Sequence, residues 1–322
     1  MLTLRVFAQL RTIFVTITMF LSIAILLVSV VPAHAQQPDS DLEEPDDAKM
    51  HETVSSDGYI PPSIAAHEMM DFSPAFEGSG QPVNDGTEVV FDKPVAAVTA
   101  PGDSVGIDSV IGPDSRYRIT NTTSSTYRKI VHITSNSGGC TGWLISADTV
   151  ATAGHCVYYG GWSQNVRVYP GRDGSSTPYG SCSAERLFAP SGWTQSYSPS
   201  YDYGAIKLNC TIGNQTGWFG FQWENGSRNG ESTNISGYPG DKPYGTMWRS
   251  DGSVQVTENL RLFYANDTIG GMSGSPVWNN ELCNQCAVGI HAYGVGGSPY
   301  GLNGATRITQ EVFNNLMSWK NS

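Results

Sequence analysis

The chain has 322 residues, of which 36 are glycine and 15 are tyrosine, and only 15% of its residues are charged. This length leaves room for two domains with a sizeable core, and the composition suits a β-rich globular protein rather than a helical or disordered one. The net charge of −11 is uneven, because residues 36–108 hold 16 acidic residues against 2 lysines while residues 109–322 are close to neutral. The acidic balance therefore describes only one segment of the chain.

The first 35 residues have the features of an export signal. Arg5 and Arg11 supply positive charge, residues 13–31 are mostly apolar, and Ala33-His34-Ala35 has the small-x-small form of a cleavage site. We predict a signal peptide over residues 1–35 and a secreted, extracellular protein. The alternative is a retained membrane anchor, since the apolar run is long enough to span a bilayer, but the cleavage site favours removal.

Residues 36–108 form an acidic segment with little periodic hydrophobicity, including a run of acids from Asp41 to Asp47. A segment of this composition is weakly structured by itself, because it buries too little apolar surface. We predict that residues 36–108 are a propeptide and that the mature domain spans residues 109–322. The alternative is an acidic linker that stays attached.

All six cysteines lie in the second part of the chain, an even number that favours three disulfides in an oxidising compartment. The sequence alone leaves the pairing open. The spacing of Cys283 and Cys286 could also serve a zinc ion, but no second pair of this kind completes four ligands. We therefore expect no metal and no cofactor. The six residues are Cys140, Cys156, Cys182, Cys210, Cys283 and Cys286.

From residue 109 onward the pattern is typical of short strands separated by turns. Apolar runs at 129–133, 142–145, 166–169 and 205–208 alternate with clusters of Gly, Ser, Asn and Pro, which predicts a sandwich or barrel. Only the C-terminal end is predicted to be helical. There Thr309 can cap the helix, and Val312, Leu316 and Trp319 share one face.

Two of the three histidines after residue 108 sit in contrasting contexts. His132 lies inside an apolar strand pattern and is interpreted as structural, whereas His155 follows Thr152-Ala153-Gly154 and precedes Cys156. Small residues bring the backbone close at such a turn. Taken alone, a histidine of this kind is more often structural than catalytic.

The sequence Gly270-Gly271-Met272-Ser273-Gly274 changes that balance. Glycines around a serine permit a tight turn that exposes the hydroxyl and points successive N–H groups into one concavity, as an oxyanion hole requires. The predicted donors are Gly271 and Ser273. Asp202 lies between the two motifs, at the start of a strand pattern, where a carboxylate can orient the His155 ring.

Together these motifs resemble the glutamyl endopeptidases, the staphylococcal and bacillar branch of the chymotrypsin-fold serine proteases. The resemblance covers residues 109–322. It implies an all-β fold of two perpendicular six-stranded β-barrels, with His155, Asp202 and Ser273 as a catalytic triad between them. Besides the histidine and serine motifs it rests on Ser109-Val110-Ile111-Gly112, Arg118-Ile119-Thr120-Asn121-Thr122-Thr123 and Ser236-Gly237-Tyr238-Pro239-Gly240-Asp241-Lys242.

The same resemblance implies a disulfide between Cys140 and Cys156 around the histidine turn. With that pair in place, we expect Cys283 to bond to Cys286 and Cys182 to bond to Cys210.

The resemblance also implies the substrate pocket. His291 lies where acid-specific relatives use a histidine to receive the substrate carboxylate, and the hydroxyl of Thr268 is expected beside it. Against this stands Asp267, six residues before Ser273, the spacing at which trypsin-like enzymes bind Arg or Lys. A free carboxylate there would repel an acidic side chain, so a glutamate pocket requires Asp267 to be paired or turned away.

These features favour a serine endopeptidase that cleaves after Glu, and after Asp more weakly. The alternatives are cleavage after Arg or Lys through Asp267, and a proteolytically silent binding protein of the same fold. We expect protein or peptide substrates with acidic residues, the chain's own propeptide as a partner, no nucleic acid, and a monomer.

The sequence also bears on activation. Trypsin-like zymogens pair a new N-terminal amine with an aspartate just before the serine, and Met272 occupies that position here. In the V8-like relatives the freed amine instead lies near the substrate pocket. The bond before Ser109 follows Asp108, so we expect partly autocatalytic maturation, with the propeptide in the cleft until it is cut.

Overall fold

The computed structural model describes residues 46–62, 75–79, 109–279, 283 and 285–322. The predicted signal peptide and the predicted cleavage point after Asp108 lie outside the described residues. Among the helices that are described, none has the length and apolar character needed to cross a membrane.

The described residues contain sixteen strands and five short α-helices. The strands are β1 Thr53–Ser55, β2 Ala75–Phe76, β3 Tyr117–Ile119, β4 Ile130–Ser135, β5 Gly138–Leu144, β6 Thr149–Thr152, β7 Arg167–Pro170, β8 Cys182–Pro190, β9 Gly204–Leu208, β10 Gly220–Gln222, β11 Ser232–Gly237, β12 Met247–Thr257, β13 Arg261–Tyr264, β14 Pro276–Asn279, β15 Cys286–Tyr293 and β16 Asn303–Arg307. The helices are α1 Asp47–Met50, α2 Gly154–Val157, α3 Ser191–Thr194, α4 Gly213–Thr216 and α5 Gln310–Lys320.

The first barrel is a closed antiparallel sheet of six strands. Its hydrogen-bonded order is β8-β7-β4-β5-β6-β9, and β9 pairs back with β8 to close the ring. Its interior is filled by fully buried apolar side chains such as Val131, Trp143 and Ile206. β-Branched and aromatic residues favour this pleated, buried environment.

The second barrel repeats the arrangement with the order β14-β11-β12-β13-β16-β15, closed by pairing of β14 with β15. Ile235, Leu262 and Val288 are buried in its core. Strands β3, β10 and β2 extend this sheet beyond the ring. The predicted fold of two six-stranded barrels is confirmed.

The C-terminal helix α5 packs on the first barrel. The Thr309 hydroxyl accepts from the Val312 amide at 3.4 Å and so caps the helix as predicted. Leu316 and Trp319 are fully buried, and the Trp319 ring stacks on Phe188 of β8 at 5.6 Å.

Two pieces of the acidic segment are ordered against the barrels. Strand β1 adds to β8 with Val54 opposite Ala189, and strand β2 adds to β10 with Phe76 opposite Phe221. Both described strands of the acidic segment are therefore paired with strands of the domain rather than with each other.

Candidate functional site

His155 and Asp202 meet at one end of the first barrel. Strands β6 and β9 pair with Thr152 opposite Gly204, which brings the turn after β6 next to the residue before β9. The His155 amide donates to Asp202 Oδ1 at 2.8 Å, and His155 Nδ1 lies 2.7 Å from Asp202 Oδ2. These two contacts fix the orientation of the imidazole ring.

The electrostatics of this pair favour a basic histidine. Asp202 is completely buried, whereas 26% of the His155 side chain is exposed. Burial disfavours the imidazolium, but the charge of Asp202 and its hydrogen bond outweigh burial, so the pKa of His155 is raised. Because Nδ1–H donates to Asp202, Nε2 is left to accept a proton.

The serine turn is held at its backbone by both barrels. The Thr141 amide of β5 donates to Ser273 O at 2.8 Å, and the Gly274 amide donates to His291 O at 2.6 Å. Gly271 and Gly274 adopt φ angles of +93° and +86°, which L side chains rarely adopt. A Cβ at Gly274 would also lie 2.1 Å from the Thr141 carbonyl oxygen, so a side chain there would break the turn.

The turn leaves its reactive groups free. Within the described part of the chain, neither the Gly271 amide nor the Ser273 amide donates an internal hydrogen bond. The Ser273 hydroxyl is likewise not hydrogen-bonded to His155, although both residues are described. The Cys140–Cys156 disulfide joins the residue beside Thr141 to the residue beside His155, and so ties the two halves of the site together.

The other four cysteines form two further disulfides, with Cys182 bonded to Cys210 and Cys283 to Cys286. Among the described residues, the only cluster that could hold a metal ion comprises Cys140, His155 and Cys156. The two cysteines are bonded to each other and provide no thiolate, so this cluster is no zinc site.

His291 is buried on β15 with a phenol as its partner. Its Nδ1 lies 2.8 Å from the Tyr264 hydroxyl. Burial lowers the pKa of His291 to about 3, and the nearby His155 acts in the same direction. If Tyr264 donates to Nδ1, the proton of the neutral ring resides on Nε2, which makes that atom a hydrogen-bond donor.

Thr268 and Asp267 lie next to each other but differ in their bonding. The Thr268 hydroxyl is buried and has no hydrogen-bond partner among the described residues. Asp267 accepts from the amides of Ile111 and Ser115, each at 2.7 Å, and from the Ser115 hydroxyl at 2.6 Å. Both oxygens of Asp267 are thus occupied by the segment that follows residue 109.

The first described residues of the domain line the same region. The Ser109 carbonyl accepts from Asn303 Nδ2 at 2.6 Å and from the Thr268 amide at 3.3 Å. A Cβ at Gly294 would lie 1.9 Å from the Ser109 hydroxyl oxygen, which shows how closely residue 109 packs here. Ser109 is 6% exposed.

Sequence reasoning did not find Tyr264 or Asn303. Tyr264 ends β13 and Asn303 begins β16, and the two residues are opposite each other in the sheet. Both strands are buried along their whole length, so no local signal distinguishes either residue from a core residue. Only the pairing of distant strands places it beside His291 or Ser109.

Comparison with known proteins supports the interpretation of the fold. Residues 118–316 match the family described as Trypsin. A glutamyl endopeptidase of Bacillus licheniformis is 44% identical over 316 residues, covering 95% of this chain and 96% of its own. A protein of Bacillus subtilis named extracellular metalloprotease is 45% identical over 223 residues, covering 66% of this chain and 70% of its own.

More distant relatives have the same name as the first. A glutamyl endopeptidase of Staphylococcus aureus is 30% identical over 224 residues, covering 65% of this chain and 63% of its own. A solved structure of a Glu endopeptidase in complex with MPD matches with a TM-score of 0.62 and 32% identity, covering 66% of this chain and all of that one.

Proposed function

The chain belongs to the glutamyl endopeptidases of the trypsin family, and we propose that it is a secreted endopeptidase that hydrolyses peptide bonds after Glu, and after Asp more weakly. Serine endopeptidase activity follows from family membership. The observation that carries the glutamate preference is the state of the groups proposed to line the pocket: His291 is buried and neutral, the Thr268 hydroxyl has no partner among the described residues, and Asp267 is engaged by Ile111 and Ser115.

In the proposed mechanism Ser273 is the nucleophile. His155 Nε2 takes the proton from the Ser273 hydroxyl as it attacks the scissile carbonyl, and Asp202 stabilises the imidazolium that forms. The free amides of Gly271 and Ser273 stabilise the oxyanion. His155 then gives its proton to the leaving amine, and water hydrolyses the acyl-enzyme by the same steps.

His291 and Thr268 contribute hydrogen bonds to the substrate carboxylate rather than a positive charge. A histidine with a pKa of about 3 is neutral at pH 7, so His291 donates to the substrate carboxylate from Nε2. The Thr268 hydroxyl supplies a second donor. A buried carboxylate that receives such bonds is stabilised in its ionised form.

Cleavage after Arg or Lys is disfavoured by the state of Asp267. A carboxylate that already accepts three hydrogen bonds and is 1% exposed does not present a free charge to a basic side chain. A silent binding protein is disfavoured because the His155–Asp202 pair and the serine turn are intact.

We assign residues 1–35 to a signal peptide, residues 36–108 to a propeptide and residues 109–322 to the mature enzyme. Cutting after Asp108 would create an amine on Ser109, whose carbonyl already bonds to the amide of Thr268 in the pocket wall. That positive charge would then lie close to the substrate carboxylate. The enzyme can make this cut itself if it tolerates Asp, and it acts as an extracellular monomer on protein or peptide substrates.

The test is cleavage of a denatured protein, followed by mass spectrometry of the new termini. We expect new C-termini at Glu, fewer at Asp, and none with the Ser273→Ala variant. Termini at Arg or Lys would favour Asp267 as the specificity residue, and an absence of cleavage would favour a silent binding protein.

A further inference from the structure

Residues 46–62 cover a surface of the mature domain that surrounds the turn carrying Asp202. The segment makes helix α1 and strand β1, and β1 pairs with β8 of the first barrel. We call its binding surface the tyrosine face. It is formed by Ser191, Tyr201, Tyr203, Asn315 and Trp319.

Both neighbours of Asp202 bond to this segment. The Tyr201 hydroxyl donates to Asp47 Oδ1 at 2.5 Å, and the Tyr203 hydroxyl lies 2.8 Å from His51 Nδ1. The Tyr203 amide donates to the Tyr201 carbonyl at 2.8 Å, and Asp202 has φ −77° and ψ 71°, which is an inverse γ-turn. The turn directs Asp202 to His155 while the two tyrosines contact residues 46–62.

Further contacts to the segment come from the C-terminal helix and from Ser191. Asn315 Nδ2 donates to the His51 carbonyl at 2.8 Å, and Trp319 Nε1 donates to Thr53 Oγ1 at 2.9 Å. The Ser191 amide donates to the Glu52 carbonyl at 2.8 Å. Among the described residues, no hydrogen bond joins residues 46–62 to His155, Ser273 or His291, so these contacts hold the segment on the tyrosine face rather than on the catalytic residues.

We propose that residues 46–62 remain a ligand of the processed enzyme, binding to the tyrosine face in trans and steadying the Asp202 turn without competing with substrate. This inference rests on the proposed cut after Asp108, because only a cut chain has a separate segment to bind. Cutting after residue 108 breaks none of the contacts above, because all of them join residues 46–62 to residues 186–319. The cut segment is therefore expected to stay bound to the enzyme.

Protonation of His51 should release the segment. His51 is 6% exposed, and burial lowers its pKa, against the raising effect of the carboxylates of Asp47 and Glu311. The other groups that face it are the hydroxyls of Tyr201 and Tyr203, which do not ionise near neutral pH. His51 is therefore less protonated in the bound segment than in the free one. The affinity of the segment for the tyrosine face is full above pH 6.5, the ordinary pKa of histidine, and falls as the pH drops below that value.

The experiment uses enzyme released from the full chain by an unrelated protease, whose recognition sequence replaces part of residues 80–108. The cut segment is then removed by gel filtration at mildly acidic pH, and mass spectrometry checks that the tyrosine face is free before the probe is added. The result then does not depend on self-processing, and N-terminal sequencing reports the cut separately.

The probe is a synthetic peptide of residues 46–62 with Glu52→Gln, which removes its only glutamate. Binding is measured with Ser273→Ala enzyme, so that the bonds after Asp46, Asp47 and Asp57 are not cut, and KM is measured with active enzyme while mass spectrometry finds the peptide intact. Only the carbonyl of Glu52 contacts the tyrosine face, so docking is retained.

We expect saturable binding by calorimetry, a rise in Tm at saturating peptide, and a KM for substrate that changes less than about twofold. A peptide with His51→Ala should bind about 5- to 10-fold more weakly, because it loses one buried hydrogen bond. The control is a peptide with Ile60→Ala, at an 83% exposed position, which should bind as tightly as the unchanged peptide. A KM that rises in proportion to peptide concentration would place the segment in the cleft and overturn the proposal. Absence of binding, or equal binding by both variants, would also overturn it.

Discussion

The two barrels each contribute one histidine to the candidate site, and the partners of these histidines differ in kind. In the first barrel, His155 faces the carboxylate of Asp202, which raises its pKa despite burial. In the second barrel, His291 faces the phenol of Tyr264, and burial lowers its pKa to about 3. In the proposed function the same side chain therefore serves as a base in one barrel and as a neutral donor in the other, according to whether a buried negative charge is its hydrogen-bond partner.

Removing the nucleophile tests whether the pair in the first barrel acts on Ser273. Ser273→Ala should lower kcat by about a millionfold, because only oxyanion and binding contributions remain. Steady-state hydrolysis of a peptide with one glutamate measures this loss. Ser175→Ala, at an exposed position, is the control; a loss below about tenfold would refute the triad.

Removing the negative charge from the first barrel should make His155 resemble His291. Asp202→Asn should lower kcat by about ten-thousandfold, because the ring loses its orientation and the stabilisation of its charged form. The acidic limb of the pH profile of kcat/KM reports protonation of His155, which must be neutral to act as a base. Without the Asp202 carboxylate the pKa of His155 is lower, so this limb should move to lower pH. The control is Asp251→Asn, at a half-exposed position, which should leave kcat and the acidic limb unchanged. If the acidic limb of Asp202→Asn lies at the same pH as in wild type, Asp202 does not raise the pKa of His155.

Changes in the second barrel should affect the substrate side chain and spare the reacting atoms. His291→Gln should lower kcat/KM for Glu substrates by about 10- to 100-fold, the value of hydrogen bonds to a charged group. Inactivation by a small serine-directed inhibitor should stay within about twofold of wild type. Tyr264→Phe removes only the hydroxyl that contacts the His291 ring. This variant should lose less kcat/KM for Glu substrates than His291→Gln and should also keep its rate of inactivation. Equal loss of both activities would show that His291 has a structural role.

The smallest effect is expected from a change at Asp267, which binds the segment that follows residue 109. Asp267→Asn replaces charged acceptors of the Ile111 and Ser115 amides by a neutral amide, so KM for Glu substrates should rise about fivefold. No cleavage after Arg or Lys should be gained or lost. If wild-type enzyme cuts after Lys and this variant does not, Asp267 is the specificity residue.

The sequence could predict the parts of the molecule that local patterns determine. The strands β4, β7 and β9 lie within one or two residues of the predicted runs, and the helix after Thr309 begins at its predicted cap. The close contact of His155 with Asp202 follows the predicted arrangement. Each of these depends on residues close together in the chain or on a motif with specific chemistry.

Contacts between distant segments could not be predicted in this way. The engagement of Asp267 by Ile111 and Ser115 joins residues more than 150 positions apart. Strand β1 has no strong hydrophobic pattern and forms because the end of β8, residues 188–190, extends beyond its pairing with β7 and accepts another strand. In both cases the partner, rather than the local sequence, determines the structure.

The central claim is that a neutral histidine pocket and a carboxylate-supported base act together on bonds after Glu. The most direct measurement is kcat/KM for three peptides that differ only in having Glu, Gln or Arg before the scissile bond. We predict that Glu exceeds Gln by about 100-fold or more and that Arg is not cleaved measurably. Equal rates for Glu and Gln, or a faster rate for Arg, would contradict the account.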